Sequence, residues 1–343
     1  YPPLSEKRWK KRYLYKKGKT RSMKDQFGRT IDYMRISITD RCNLRCRYCM
    51  PERIEWLPKE ELLSLEEIAE ICRLASSLGI RKIKITGGEP LVRNGCDRLI
   101  GMISQIPGID QVSLTTNGIL LADYAESLRR QGLHAVNVSL DALDPDIYAQ
   151  ITGYHKLPQV LDGLHAMEQQ QIPTKINVVL QRGVNETECL ALAELARHHA
   201  FDVRFIELMP IGHGKQLTCV SNTEVFQKLS DHYGTLLPDP DTHGNGPARY
   251  YTVEGFQGSI GFISAIHGKF CNSCNRIRLT ATGDLKPCLC YQERILVKDA
   301  LRSGDTKEAQ KLLAQAIFQK PAAHCFETLS SITEDAEMSR IGG

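Results

Sequence analysis

Arg35-Ile-Ser-Ile-Thr-Asp-Arg-Cys42-Asn-Leu-Arg-Cys46-Arg-Tyr48-Cys49-Met-Pro51 sets three thiols at gaps of three and two residues, directly after a strand-like run over 33–40. The neighbours are too polar for these cysteines to serve as small core hydrophobes. Three thiolates can hold three irons of a cubane cluster and leave the fourth iron open to a ligand that is not protein. A complete set of four would suit electron storage, whereas an open iron suits chemistry. Zinc with a fourth ligand from elsewhere is the competing reading, because paired cysteines often bind it. The three-residue gap between Cys42 and Cys46 disfavours that reading.

With an aromatic, Tyr48, immediately before the third cysteine, the stretch resembles the radical S-adenosylmethionine (radical SAM) superfamily. The resemblance implies a [4Fe-4S] cluster on Cys42, Cys46 and Cys49, with SAM bound beside Tyr48. Outward from here the chain alternates strand and helix. Strand-like runs fall at 33–40, 82–88, 111–117, 135–141, 174–181 and 202–210, with amphipathic helical patterns between them, such as Leu65 to Leu78 and Thr187 to His199. Gly79 and Gly132 close two of the helical stretches. Six βα units demand a parallel sheet with right-handed crossovers. Six rather than eight predicts an incomplete (β/α)6 TIM-type barrel, open on one side, with its active residues at the carboxyl ends of the strands.

Those ends are polar or glycine-rich. The second strand ends Thr86-Gly87-Gly88-Glu89-Pro90, where glycines let backbone approach a ligand and Glu89 can take an ammonium. In radical SAM enzymes this segment meets the amino group of SAM. The third strand ends Thr115-Thr116-Asn117-Gly118 and the fourth Ser139-Leu140-Asp141; from residue type alone, both could be helix N-caps and nothing more. The resemblance assigns Thr115 and Ser139 to SAM and Met209, ending the sixth strand, to the adenine environment. Lys175 and Arg204 lie inside apolar strand patterns, where a cation is costly unless paired or facing a polar cavity. Salt bridges are the alternative reading. Together with Lys82 and Lys84, these cations could line the barrel and suit an anionic substrate such as a polyphosphate.

Glycine and proline thicken between Gly212 and Pro247, which places a boundary there: a barrel over 31–211 and a C-terminal region over 212–343. β-like stretches follow at 249–266 and 276–286. Cys271 and Cys274 form a two-residue knuckle, Cys288 follows after thirteen residues, and Cys290 could complete a four-cysteine zinc site. Spacing alone leaves zinc and iron–sulfur even. The run Cys271-x-x-Cys274-Asn-Arg276-Ile-Arg278-Leu-Thr, then Cys288, and the ending Gly342-Gly343 resemble the GTP 3′,8-cyclases, which begin molybdenum-cofactor biosynthesis. The resemblance runs from about residue 28 to the end. It implies a second [4Fe-4S] cluster on Cys271, Cys274 and Cys288 that meets the guanine of GTP, in a region closing the barrel's open side. It also implies substrate contacts from Arg276 and Arg278, and an active-site role for Arg35 near the triphosphate. Cys290 is an extra thiol beside the third ligand position.

The chain has 343 residues, enough for a sizeable core, and an ordinary composition, 42% hydrophobic and 24% charged. Twelve cysteines without a secretory signal argue for metal in a reducing compartment, cytoplasmic or an organellar matrix, rather than for disulfides. No apolar run approaches a membrane span. The net charge of +4 is uneven: residues 1–30 carry eleven Lys or Arg against two acids, a basic arm expected to be flexible, with targeting left open. The remainder is net acidic and gives no reason to expect nucleic acid. The resemblance further implies an electron donor and a next pathway enzyme, cyclic pyranopterin monophosphate synthase, as partners; a homodimer stays open. Two rivals remain on the sequence: a peptide-modifying radical SAM enzyme with an auxiliary cluster, and a non-enzymatic iron–sulfur carrier.

Overall fold

The computed structural model describes residues 22–50, 55–241 and 243–342. Most of the basic arm (1–21), Pro51 of the cysteine stretch and Gly343 of the diglycine lie outside the described residues.

The alternation becomes β1 (Tyr33–Ser37), α1 (Leu65–Ser77), β2 (Lys82–Thr86), α2 (Cys96–Ser104), β3 (Gln111–Thr116), α3 (Leu121–Arg130), β4 (Ala135–Ser139), α4 (Pro145–Thr152), α5 (Leu157–Gln169), β5 (Thr174–Val178), α6 (Cys189–His198) and β6 (Asp202–Ile206). All six strands pair in parallel, in chain order. The sheet does not close on itself. Side chains alternate with period two along each strand. One set, including Ile83, Ile85, Val112, Leu114, Val136 and Val138, is fully buried in the main core with the helices. The other set includes Arg35, Lys84, Asn137, Lys175 and Arg204 and faces the interior cavities. The core therefore lies between sheet and helices, and the barrel's inside is left for ligands. Local signals start the helices where expected: Ser64 and Glu67 cap α1 reciprocally, a capping box.

Each strand begins where the sequence places it and ends earlier, because its polar carboxyl end turns into a loop. The C-terminal stretches are also broken. The rest of the chain forms α7 (Asn222–Tyr233), β7 (Leu237–Pro238), β8 (Arg249–Thr252), β9 (Ile260–Ile263), β10 (Arg276–Leu279), β11 (Asp284–Lys286), β12 (Ile295–Leu296), α8 (Lys298–Arg302), α9 (Thr306–Phe318) and α10 (Met338–Ile341). Strand β10 adds in parallel to β1, and β9 adds in parallel to β6. Antiparallel partners extend each, giving the order β12-β11-β10-β1-β2-β3-β4-β5-β6-β9-β8-β7. The C-terminal chain thus continues the barrel sheet at both edges.

Residues 22–30, expected as the end of a flexible arm, pack onto the barrel instead. Met23 is buried and bonds Leu78 through its N–H, and Arg29 pairs with Asp25 while donating to the carbonyls of Cys271, Pro321 and Ala322. No helix among the described residues is long and apolar enough to cross a membrane.

Candidate active site

A cavity of about 320 Å³ lies between the two cysteine sets. Cys42, Cys46 and Cys49 line one part of it, Cys271, Cys274 and Cys288 another, and none of the six is in a disulfide. A smaller cavity of about 110 Å³ adjoins it, with Arg35 and Arg276 lining both and Lys84, Lys175 and Arg204 lining the smaller.

The first set sits on the loop after β1. Burial pushes the Cys42 thiol up to about 11, Cys49 to about 12 and Cys46 well above the thiol range. Thiols so placed become thiolates only when positive charge joins them, which is what a cluster's irons supply. In the second set burial also raises Cys271, while His324 N–H donates to its sulfur at 3.3 Å. For Cys274 burial is outweighed by Lys320 and Arg276, which bring it down to about 7. Among the described residues no three His, Cys, Asp or Glu side chains converge tightly enough for a single metal ion. Two sets of three free thiols are the donor chemistry of iron–sulfur clusters.

Gly87 and Gly88 are required by the first cysteine loop itself. A Cβ on Gly88 would stand 2.4 Å from Arg41 O and 2.6 Å from Asp40 O, and one on Gly87 2.8 Å from Thr39 O. Gly88 N–H donates to Thr39 O at 2.7 Å and Glu89 N–H to Arg41 O at 2.7 Å, locking loop to strand end.

Tyr48, Gly88, Thr115, Ser139 and Met209 all line the larger cavity beside the first cysteine set. Glu89 does not. Its buried carboxylate accepts from Leu91 N–H, Thr116 Oγ1 and Asn117 N–H at 2.7–3.0 Å, and burial pushes it up to about 7 against those donors. These bonds fix the third strand's end against the second. Two residues missed from the sequence complete this side. Asp141 accepts from Tyr48 OH at 2.7 Å and from Val179 N–H at 2.8 Å, and burial raises it to about 6. Asn117 donates to Asn43 Oδ1 at 2.8 Å and to Cys42 Sγ at 3.7 Å. Both lie in strand-end stretches already singled out for their neighbours, so position at a strand end was the available signal.

The cations are the strongest electrostatic feature. Registers Tyr33↔Arg276 and Arg35↔Arg278 put Arg276 and Arg278 on one face of β10, both in the larger cavity. Burial, with Tyr33 opposing and Arg276 adding, lowers Arg35 to about 10. Burial, then Arg35 and Arg276, lowers Arg278 to about 9. Lys84 is held well below the usual lysine range by burial and then by Arg204, Arg35, Lys175 and Arg276. Arg35 Nε and Arg204 Nε are buried without a hydrogen-bond partner. Lys175 is partly neutralised by Asp202. Lys82 pairs with Asp32 at 2.9 Å at the amino-terminal end of β2 and lines neither cavity.

Residues 320–336, which follow no sequence motif, and the chain beyond them also reach the site. Lys320, His324 and Met338 line the cavity, Lys320 donating to Pro287 O at 2.8 Å, and Arg278 donates to Gly342 O. Cys290 turns away. It is fully buried, absent from the cavity wall, and its sulfur faces that of Cys325.

Residues 36–196 match the sequence profile of the radical SAM superfamily, and residues 201–326 match that described as Molybdenum Cofactor Synthesis C. The chain is 46% identical over 327 residues to the GTP 3′,8-cyclase of Syntrophomonas wolfei, and 42% identical over 323 residues to that of Clostridium perfringens. Each alignment covers 94% of this chain and 100% of the relative. Among solved structures, Streptococcus suis SuiB bound to S-adenosylmethionine superposes with a TM-score of 0.59 at 15% identity, covering 80% of this chain and 65% of that one. SuiB bound to its precursor peptide SuiA gives 0.62 at 14%, covering 85% and 65%. This chain spans less than two thirds of either structure's length, and the likeness is one of fold alone.

Proposed function

We infer the activity from membership: this chain belongs to the GTP 3′,8-cyclase family of the radical SAM superfamily. It converts GTP to (8S)-3′,8-cyclo-7,8-dihydroguanosine 5′-triphosphate, the first step of molybdenum-cofactor biosynthesis, using SAM and two [4Fe-4S] clusters. Neither a peptide-modifying enzyme nor an electron carrier accounts for relatives matched end to end at 42–46%.

Cys42, Cys46 and Cys49 hold the first cluster, and Cys271, Cys274 and Cys288 the second; their sharing of one cavity supports this. When bound, the first cluster and SAM would supply the radical chemistry that removes hydrogen from C3′ of GTP. Tyr48, Gly88, Thr115, Ser139 and Met209 form the SAM wall, with Glu89 and Asp141 holding that wall in place. Arg35, Lys84, Lys175, Arg204, Arg276 and Arg278 receive the triphosphate. The observation that carries this reading is the group of cations, Arg204 buried and the others half-buried, short of acidic partners, since enclosed like charges are costly unless a polyanion repays them. Placing the base near one cysteine set and the ribose near the other aligns C3′ and C8, the protein's share being position and exclusion of water.

The barrel region is 31–211 and the cluster-bearing C-terminal region 212–343. A low-potential one-electron donor, a reducing compartment and hand-over of product to cyclic pyranopterin monophosphate synthase complete the reading. Anaerobic reconstitution followed by iron and sulfide counting tests it. Wild type should hold two cubanes per chain; a serine at any of positions 42, 46 or 49 should leave about half the iron and no SAM cleavage. Retained SAM cleavage in those variants removes the reading.

A further inference from the structure

Cys290 and Cys325 have no part in the cavity, yet their Sγ atoms stand 2.9 Å apart, closer than non-bonded sulfurs ordinarily rest. The other cysteines outside the two sets do not share this arrangement: Cys72, Cys96 and Cys189 are buried in the helical core, and Cys219 bonds nearby backbone. The two partners come from different segments, Cys290 from the loop between β11 and β12 and Cys325 from the chain after α9, 35 residues on. These segments are already held in register. Cys325 N–H donates to Cys290 Sγ at 3.3 Å, Tyr291 OH to Ala323 O at 3.0 Å, and Glu334 N–H to Cys290 O at 3.3 Å. Apolar packing from Ile211, Leu289, Phe326, Ile332 and Ile341 surrounds the pair. Cys290 is fully buried, while Cys325 keeps partial exposure and so is the sulfur an oxidant would reach first.

We propose that Cys290 and Cys325 form a redox-reversible disulfide site that fastens the C-terminal segment to the second cysteine loop. Both S–H bonds break and one S–S bond forms. Two protons and two electrons pass to an oxidant of the peroxide or disulfide class, and a thiol reductant returns them. The tether would close a loop that contains Lys320 and His324, both lining the cavity, so it acts on the wall of the site without removing a cluster ligand.

The test uses the anaerobic holoenzyme. It is treated with excess diamide, an azo oxidant that accepts two electrons and two protons, then alkylated, digested without reductant and analysed by fragment-ion mass spectrometry. The expected product is a single link between Cys290 and Cys325, reversed by dithiothreitol, with iron content unchanged. Hydrogen exchange over 323–334 should slow in the oxidised protein. Cys290→Ser and Cys325→Ser should each lack the link and keep both clusters. Separate alkylation of the two thiols after oxidation, or a link to Cys288 instead, overturns the proposal. Loss of the second cluster's iron in Cys290→Ser would also overturn it, by making Cys290 a ligand. The wild-type mass measurement stands even if a variant folds poorly.

Discussion

Arg276 and Arg278 stand two residues apart on β10 and line the same cavity, Arg278 with one nitrogen already donating to Gly342 O. Exposed ion pairs would contribute only about 0–1 kcal/mol. Charge-assisted contacts to GTP contribute on the order of 1.5–3 kcal/mol each, so Arg276→Ala and Arg278→Ala should each bind GTP about ten- to a hundredfold more weakly. Both should keep their iron; equilibrium binding under anaerobic conditions measures the effect, and wild-type affinity in both would refute it. Lys84 gives a signed pH dependence. Burial and four neighbouring cations depress it in the free protein, and a bound triphosphate restores it, so the proton leaves the free form at lower pH than the complex. Binding should therefore take up a proton, and affinity should fall as pH rises through the free-protein value. Calorimetry in buffers of different ionisation enthalpy checks this, and Lys84→Arg should bind GTP with a flatter pH profile. The cation-bearing strands were readable because charge inside an apolar strand is unusual. Which charges face a cavity was not: Lys82 and Lys84 share a strand face, yet only the first has Asp32 within reach.

At the scale of elements, the strand starts and the parallel order followed from hydrophobic period, and the errors fell where ligands are expected. Polar strand ends satisfy their backbone with loops, as Gly88 does with Thr39, so a pattern of residue types runs past the last ladder bond. The Gly-Gly turn shows the same limit. Its glycines read as room for a ligand, but the contacts that forbid a side chain are the carbonyls of Thr39, Asp40 and Arg41. Gly88→Ala must shift one backbone against another, a strain of roughly 1–3 kcal/mol. Its expected signature is a lower Tm together with loss of the first cluster and about half the iron, while GTP binding persists. Full iron content in this variant would show that the loop tolerates displacement.

Across the whole molecule, the C-terminal chain returns to both edges of the sheet and then to the site, contacts that no local pattern encodes. The ion pair of Lys286 and Glu334 is fully buried and ties the last segment to β11. Breaking it from one side leaves an unpaired buried charge, so Lys286→Met should cost about 3–5 kcal/mol in denaturant unfolding. Lys286→Met with Glu334→Leu should recover much of that loss; a double variant no better than the single would contradict this account of the anchor.

The activity itself is tested most directly with GTP carrying deuterium at C3′, incubated anaerobically with reduced holoenzyme and SAM. The account predicts 5′-deoxyadenosine that contains the deuterium, formed alongside a cyclised isomer of GTP and lost together with it when Arg276 or Arg278 is replaced by alanine. Unlabelled 5′-deoxyadenosine with GTP recovered unchanged would contradict it.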